Sequence, residues 1–161
     1  MSLWPAASPQ APPRVDPYTG IWILNVAKST GDSVSQTLTI DVRGDTETYR
    51  SELVSANGRR QVTTYSAAYD GKEYPSLTVV TEPGAAGSAV TRRDDTVRLA
   101  KVDDRTRERH WTQGGRVVRI LRRVVSADGR TLTSQVVDVD DKGMEHTTST
   151  LVFDKRSGAS R

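Results

Sequence analysis

The chain has 161 residues, a length that fits one compact domain and is enough to bury a hydrophobic core without cross-links. It contains no cysteine, which excludes thiol catalysis, disulfide scaffolds and cysteine-ligated zinc sites. Its two histidines, His110 and His146, argue against a multi-His metal site and leave open a site of one His with carboxylates. The net charge of +3 arises from 23 basic and 20 acidic residues that are interspersed along the chain, a pattern typical of a solvated surface. We therefore expect no metal, no cofactor and no nucleic-acid partner.

The beginning of the chain differs in composition from the rest. Residues 4–17 are rich in Pro and Ala and have no hydrophobic period, which predicts a flexible leader over residues 1–17. Such leaders are common between an export signal or lipid anchor and a secreted domain, so we expect a secreted or periplasmic location. The sequence contains no run of eighteen apolar residues, so no transmembrane segment is predicted. Residues 18–156 are predicted to form one β-barrel domain, and residues 157–161 a flexible tail.

Strand-forming residues dominate this predicted domain. The chain contains 19 Val and 19 Thr, and β-branched residues favour strands. Short alternating segments recur between turn sequences such as Asn57-Gly58 and Asp128-Gly129, which supply the positive φ of tight hairpins. Ten strands are predicted, at about 20–26, 34–43, 46–54, 60–68, 76–81, 96–102, 105–112, 116–126, 131–139 and 145–154.

The order of these segments predicts a closed barrel. Consecutive hairpins without a long crossover form an up-and-down antiparallel meander, and a meander of 8–10 strands tends to close because closure removes unpaired edges. At that strand number the interior holds side chains or one small ligand. Residues 82–95 have no strand pattern of their own, and a loop of that length often serves as a lid or a binding loop.

Several motifs together resemble a known group of proteins. Gly20-Ile21-Trp22 begins the first strand, within GIWILNVAKS (20–29), and is followed by YDGKEYP (69–75), Asp95-Thr96-Val97 and VVSADGRTLT (124–133). The ensemble resembles small exported bacterial proteins of lipocalin-like, calycin-type fold, for which no activity is generally assigned. The resemblance spans about residues 20–156. It implies an all-β, lipocalin-like or fatty-acid-binding-protein-like barrel.

The same resemblance assigns roles to three residues of the closed barrel end. In that superfamily the Gly of Gly-x-Trp lets the chain turn into the barrel floor, and the Trp plugs the closed end. These residues are Gly20 and Trp22 in this sequence. An Arg near the last strand packs across the Trp in the superfamily, and Arg156 follows the last predicted strand at the corresponding place.

The Arg-rich strand 116–125, RVVRILRRVV, is the most informative for binding chemistry. One strand register directs Val118, Ile120, Arg122 and Val124 inward, whereas the other directs Val117, Arg119, Leu121, Arg123 and Val125 inward. Either register places a guanidinium inside the barrel unless a bulge intervenes. In fatty-acid-binding barrels an interior Arg receives the ligand carboxylate. The alternative is a structural ion pair with Glu52, Glu108 or Asp138.

A second polar strand, RTRERHWT (105–112), offers groups for acid–base chemistry. Glu108 and His110 share one face and could act as a general acid/base pair, with His146 as a third group if it points the same way. The other face is basic and includes Arg109 and Trp111. No nucleophile elbow or metal-spaced cluster accompanies these residues, so a solvated polar face is the simpler interpretation.

These patterns favour a binding protein that holds a small hydrophobic or amphipathic molecule, which could be anionic. Its polar anchor is expected among Arg119, Arg122 and Arg123, and its cavity is expected to be lined by Val34, Leu38, Ile40, Tyr49, Tyr65, Leu99, Trp111, Val118 and Ile120. One alternative is an isomerase, cyclase or hydrolase that uses Glu108, His110 and either Tyr65 or Tyr74. Another is a filled barrel that acts through its surface. A monomer and a dimer are both compatible with the sequence.

Overall fold

The computed structural model describes residues 9–84 and 89–158, and ten antiparallel strands make up most of this part of the chain. The strands are β1 (Gly20–Leu24), β2 (Ser33–Arg43), β3 (Thr46–Ser55), β4 (Arg60–Ala68), β5 (Tyr74–Glu82), β6 (Ala89–Lys101), β7 (Thr106–Gln113), β8 (Arg116–Val125), β9 (Thr131–Val139) and β10 (Glu145–Lys155). A 3₁₀ turn, Val26–Lys28, separates β1 from β2. Within the described ranges no helix is long and apolar enough to cross a membrane.

The ten strands close into a barrel. Each strand pairs with its neighbours in sequence, and β1 pairs with β10 as well as with β2. At the closure Trp22 lies opposite Lys155 on one side and opposite Leu38 on the other. The predicted all-β meander and its closure are therefore confirmed.

β6 is longer than the sequence pattern predicts. It begins at Ala89, and residues 89–95 pair with β5, for example Arg93 with Thr78. The prediction of a loop over 82–95 is thus wrong for residues 89–95. The pattern failed because residues 89–94 are exposed on both faces, so they do not show the apolar–polar alternation of a half-buried strand. Residues 85–88, the centre of the predicted lid, lie outside the described residues.

The register of β8 directs Arg119, Leu121 and Arg123 into the barrel. Arg119 and Leu121 line the interior cavity described below, and Arg123 is buried there. Ile120 and Arg122 alternate with them and therefore lie on the outer face. The expectation that Ile120 lines the cavity is thus wrong. Val34 is also not a lining residue, because a register shift between Ser33 and Ser35 leaves it 50% exposed.

Trp22 fills one end of the barrel. It is fully buried, and its Nε1 donates a hydrogen bond to the Tyr18 carbonyl oxygen at 2.9 Å. The cation above its ring is Lys155, whose Nζ is 5.0 Å from the ring centroid. Arg156 is exposed instead, which corrects the expectation that it packs across Trp22. Lys155 is the last residue of β10 and lies opposite Trp22 in the sheet, whereas Arg156 follows the end of the strand. The cation over Trp22 therefore comes from the residue before the expected one.

Candidate ligand-binding cavity

The two ends of the barrel differ in how they are covered. At the end that holds Trp22, called the closed end below, leader residues 13–17 line a cavity of about 830 Å³ together with Val42, Lys101 and Arg107, and Asp16 pairs with Arg107. At the opposite end, the mouth, a cavity of about 430 Å³ is lined by residues that include Arg59, Gln61, Arg93, Trp111 and Arg119. A deeper cavity of about 110 Å³ continues from it and shares Gln61, Trp111 and Arg119 in its wall. The half of the barrel next to the mouth, called the upper half below, therefore has an internal site open to solvent.

The cations of the mouth have carboxylate partners. Arg93 pairs with Asp95 at 2.7 Å, and Arg119 pairs with Asp138 at 2.6 Å. The Arg93 guanidinium also lies over the Trp111 ring, 4.4 Å from its centroid. These contacts fix the wall of the mouth, and each Arg–Asp pair has no net charge. Arg119, one of the three predicted anchors, is thus at the cavity but already paired.

Arg109 lies in the wall of the deep cavity and has a different environment. Its side chain is only 7% exposed, and its guanidinium lies 4.9 Å from the Tyr49 ring centroid and 5.5 Å from that of Tyr65. The two tyrosine rings stack on each other at 4.7 Å. Among the described residues no acidic side chain pairs with Arg109, and its Nε has no hydrogen-bond partner.

The next layer toward the closed end is a buried ion pair between Glu47 and Arg123, in which Arg123 Nε alone has no hydrogen-bond partner. Glu47 is fully buried, and its two carboxylate oxygens each accept a hydrogen bond from Arg123 at 3.1 Å. Tyr65 donates to Oε1 at 2.5 Å, and Tyr69 donates to Oε2. Burial raises the pKa of Glu47, but the lowering effect of Arg123 and the two phenols is larger, so the pKa is below its ordinary value. Arg123, a predicted anchor, is therefore interior but occupied.

A third layer joins the barrel to the leader. Arg107 donates to the Asp16 carboxylate at 2.6 Å and to the Tyr69 hydroxyl at 3.2 Å, and it lies 4.1 Å from the centroid of the Tyr18 ring. Burial raises the pKa of Tyr18 to about 12, so its phenol stays protonated beside the Arg123 carbonyl, 2.8 Å away. Of the three buried arginines of the described chain, Arg107 and Arg123 thus have acidic partners, whereas Arg109 has none.

The remaining predicted site residues divide between the cavity, the core and the outer surface. Tyr49 and Trp111 line the deep cavity, and Tyr65 lies beneath Arg109. Leu38 and Ile40 belong to the buried core around Trp22. Arg122 lies outside, where it binds Glu108 at 3.1 Å and Glu145 at 2.9 Å. Val118 lines the mouth and Leu99 is in the core.

Glu108 and His110 form an outer-surface cluster. His110 Nε2 lies 2.7 Å from the Glu108 carboxylate, and both residues alternate with the inward-facing Arg107, Arg109 and Trp111. Burial raises the pKa of Glu108, whereas the contacts with His110 and Arg122 lower it to a net value below normal. His146 pairs with Asp140 at 3.1 Å, away from this cluster. The enzyme alternative needs these groups inside the cavity, and their placement gives it no support.

Sequence reasoning missed Arg109 and Gln36 as cavity residues. A signal for Arg109 was present, because Arg109 and Trp111 are two residues apart and therefore share a strand face. Because Trp111 was expected in the cavity, Arg109 on the same strand face could have been expected there as well. Gln36 shares the inward face of β2 with Leu38 and Ile40, which predicts a buried amide but not its role.

Within the described ranges, no group of three or more His, Asp or Glu side chains is placed to hold a metal ion. No protein family model matches the chain, and no match is found among the curated proteins.

Proposed function

We propose that the protein binds a small amphipathic anion in the upper half of its barrel, with Arg109 as the group that receives the anionic head. The observation that carries this proposal is a guanidinium, more than nine-tenths buried, that lines an internal cavity and has no acidic partner in the described chain. The resemblance to lipocalin-like proteins supports the same class of function.

The energetics of burial favour this assignment. A charge withdrawn from water is costly unless an opposite charge or several hydrogen bonds compensate it. Burial lowers the pKa of Arg109, whereas Tyr49 and Tyr65 raise it to a net value above normal, so the guanidinium stays charged. Neither tyrosine is an anion at neutral pH, and a cation–π contact contributes only about 0.5–2 kcal/mol. An incoming carboxylate supplies the missing partner, so the free protein is prepared for an anion.

The cavity dimensions set the size of the ligand. The deep part, about 110 Å³, holds the volume of roughly four water molecules, which suits a carboxylate and the first carbon atoms of a chain. The mouth, about 430 Å³, accepts the remainder and is within the range of small-molecule pockets. Its wall mixes Trp111 and Val118 with polar groups, which fits an amphipathic molecule better than a purely apolar one.

Calorimetric titration of alkyl carboxylates of four to eight carbons, with and without hydroxyl groups, tests the proposal. We expect saturable binding of carboxylates and none of octylamine. Arg109→Met should weaken carboxylate binding about 100-fold, because a desolvated charge pair is lost. Arg122→Met removes the same charge from the outer face and should leave the affinity within twofold.

Two results would overturn this function. One is the absence of saturable binding for every carboxylate in the series. The other is equal affinity of the wild-type protein and Arg109→Met, which would show that the anion does not reach Arg109.

A further inference from the structure

Three side chains in the wall of the deep cavity have polar atoms without partners. They are Arg109 Nε, Trp111 Nε1 and Gln36 Oε1, and all three residues line the same space of about 110 Å³. Gln36 uses its amide nitrogen to donate to Ser51 Oγ at 2.9 Å, which leaves its carbonyl oxygen without a donor. An unpaired Nε is not particular to Arg109, since Arg107 and Arg123 have one as well, so the indole of Trp111 and the amide oxygen of Gln36 are the distinctive observations. Buried polar atoms are ordinarily paired, and their occurrence beside Arg109 in one small cavity points to a bound group that completes them.

The chemical types of these atoms specify that group. Arg109 Nε and Trp111 Nε1 are donors and require acceptors, whereas Gln36 Oε1 is an acceptor and requires a donor. A simple carboxylate supplies two acceptors but no hydrogen. A carboxylate with a hydroxyl on the adjacent carbon supplies both, within the volume available.

We propose that the ligand head is a 2-hydroxycarboxylate, whose carboxylate accepts from Arg109 and Trp111 and whose hydroxyl donates to Gln36. This inference rests on the proposed function and narrows it to one class of anion. The three polar atoms are shielded in the free protein, so small side-chain rotations accompany binding, as is common at interfaces of otherwise rigid proteins. The rest of the ligand extends past Trp111 toward the mouth.

Calorimetric titration with 2-hydroxyoctanoate and octanoate tests the assignment, since the two probes differ by one hydroxyl group. The wild-type protein should bind 2-hydroxyoctanoate about tenfold more tightly, because octanoate leaves the Gln36 oxygen buried and unpaired. Gln36→Leu should bind both probes equally. Gln113→Leu, a matched change in the wall of the mouth, should keep the tenfold preference.

A ligand variant makes the test independent of how well Gln36→Leu folds. The compound 2-methoxyoctanoate keeps the oxygen but has no hydrogen to donate, so the wild-type protein should bind it no better than octanoate. Equal, Arg109-dependent binding of octanoate and 2-hydroxyoctanoate overturns the hydroxyl assignment and leaves anion binding intact. A preference that survives in Gln36→Leu also overturns it. Failure of every carboxylate to bind overturns both proposals.

Discussion

Glu47 is buried in the barrel and remains ionised because its surroundings are built for a negative charge. Arg123 meets both carboxylate oxygens, and the phenols of Tyr65 and Tyr69 satisfy them further. A buried ion pair of this kind contributes little relative to an apolar pair, yet removal of one member is costly since the other is left uncompensated. Its contribution to stability should therefore be visible mainly when it is broken.

Glu47→Gln should lower the free energy of unfolding by about 3–5 kcal/mol at pH 7, because Arg123 loses its counter-charge in the interior. Urea unfolding followed by Trp fluorescence measures this difference. The matched control is Glu52→Gln on the same strand, whose exposed pair with Arg50 should contribute about 1 kcal/mol or less. A loss in Glu47→Gln as small as in the control would contradict the role given to this pair.

The pH dependence of that loss follows from the direction of the Glu47 pKa. Folding lowers the pKa of this carboxyl, so its stabilisation is complete above the ordinary value of 4.5 and declines as pH falls toward the lower folded pKa. The stability gap between wild type and Glu47→Gln should thus be constant near neutral pH and narrow below pH 4.5. Urea unfolding at several pH values tests this, and a gap that stays constant down to acid unfolding would contradict it.

At the scale of single elements, β1 depends on the residue that begins it. Gly20 has a φ of +147°, in a region that is essentially restricted to glycine, and a Cβ placed there would lie 2.6 Å from Lys155 Cε. Lys155 in turn covers the Trp22 ring. The start of β1 therefore fixes the entry of the leader, the cation over Trp22 and the closure with β10 together.

Gly20→Ala should destabilise the protein by about 1–3 kcal/mol, through backbone strain and displacement of Lys155. Gly158→Ala, which follows β10 with open space around it, serves as the control and should change stability by less than about 0.5 kcal/mol. Thermal unfolding of the two variants against wild type measures both effects. Equal midpoints for both variants would show that the strand start tolerates a side chain.

Prediction of elements from the sequence succeeded where one strand face is buried and the other is wet. In β2 the residues Gln36, Leu38 and Ile40 alternate with polar neighbours, and this strand was predicted almost to its ends. The same rule failed for residues 89–95 of β6, where consecutive residues are exposed on both faces. It also left the β8 register open, because arginines occur on both of its faces and only the paired positions on β7 and β9 decide between them.

At the scale of the whole molecule, the barrel divides into a filled half and an open half. The closed-end half holds the paired charges and the core around Trp22, and the mouth half holds the cavity and the unpaired Arg109. The sequence could predict that some arginine is interior, but not which one lacks a partner. That depends on Glu47 and Asp16, which lie 76 and 91 residues from Arg123 and Arg107.

From this division we predict that Arg109 lowers the free energy of unfolding of the ligand-free protein. Arg109→Met should raise the free energy of unfolding of the ligand-free protein by about 1 kcal/mol, because a buried charge that has tyrosine rings but no acidic partner beside it is replaced by an apolar side chain. Urea unfolding without ligand tests this, with Arg122→Met expected to be neutral or slightly destabilising. A less stable Arg109→Met would indicate that Arg109 acts as a structural member of the interior.

Both ends of the strand order, the start of β1 and the finish of β10, lie at the closed end of the barrel, opposite the mouth. A linker attached after Lys155, or upstream of Asp16 so that the contacts of Asp16 and Tyr18 are kept, therefore starts on the side away from the cavity. The protein can be immobilised on a sensor surface, or fused to a reporter, through either of these points while the cavity still faces the solution. Orientation on the surface is then set by the topology, and ligand exchange through the mouth stays unobstructed.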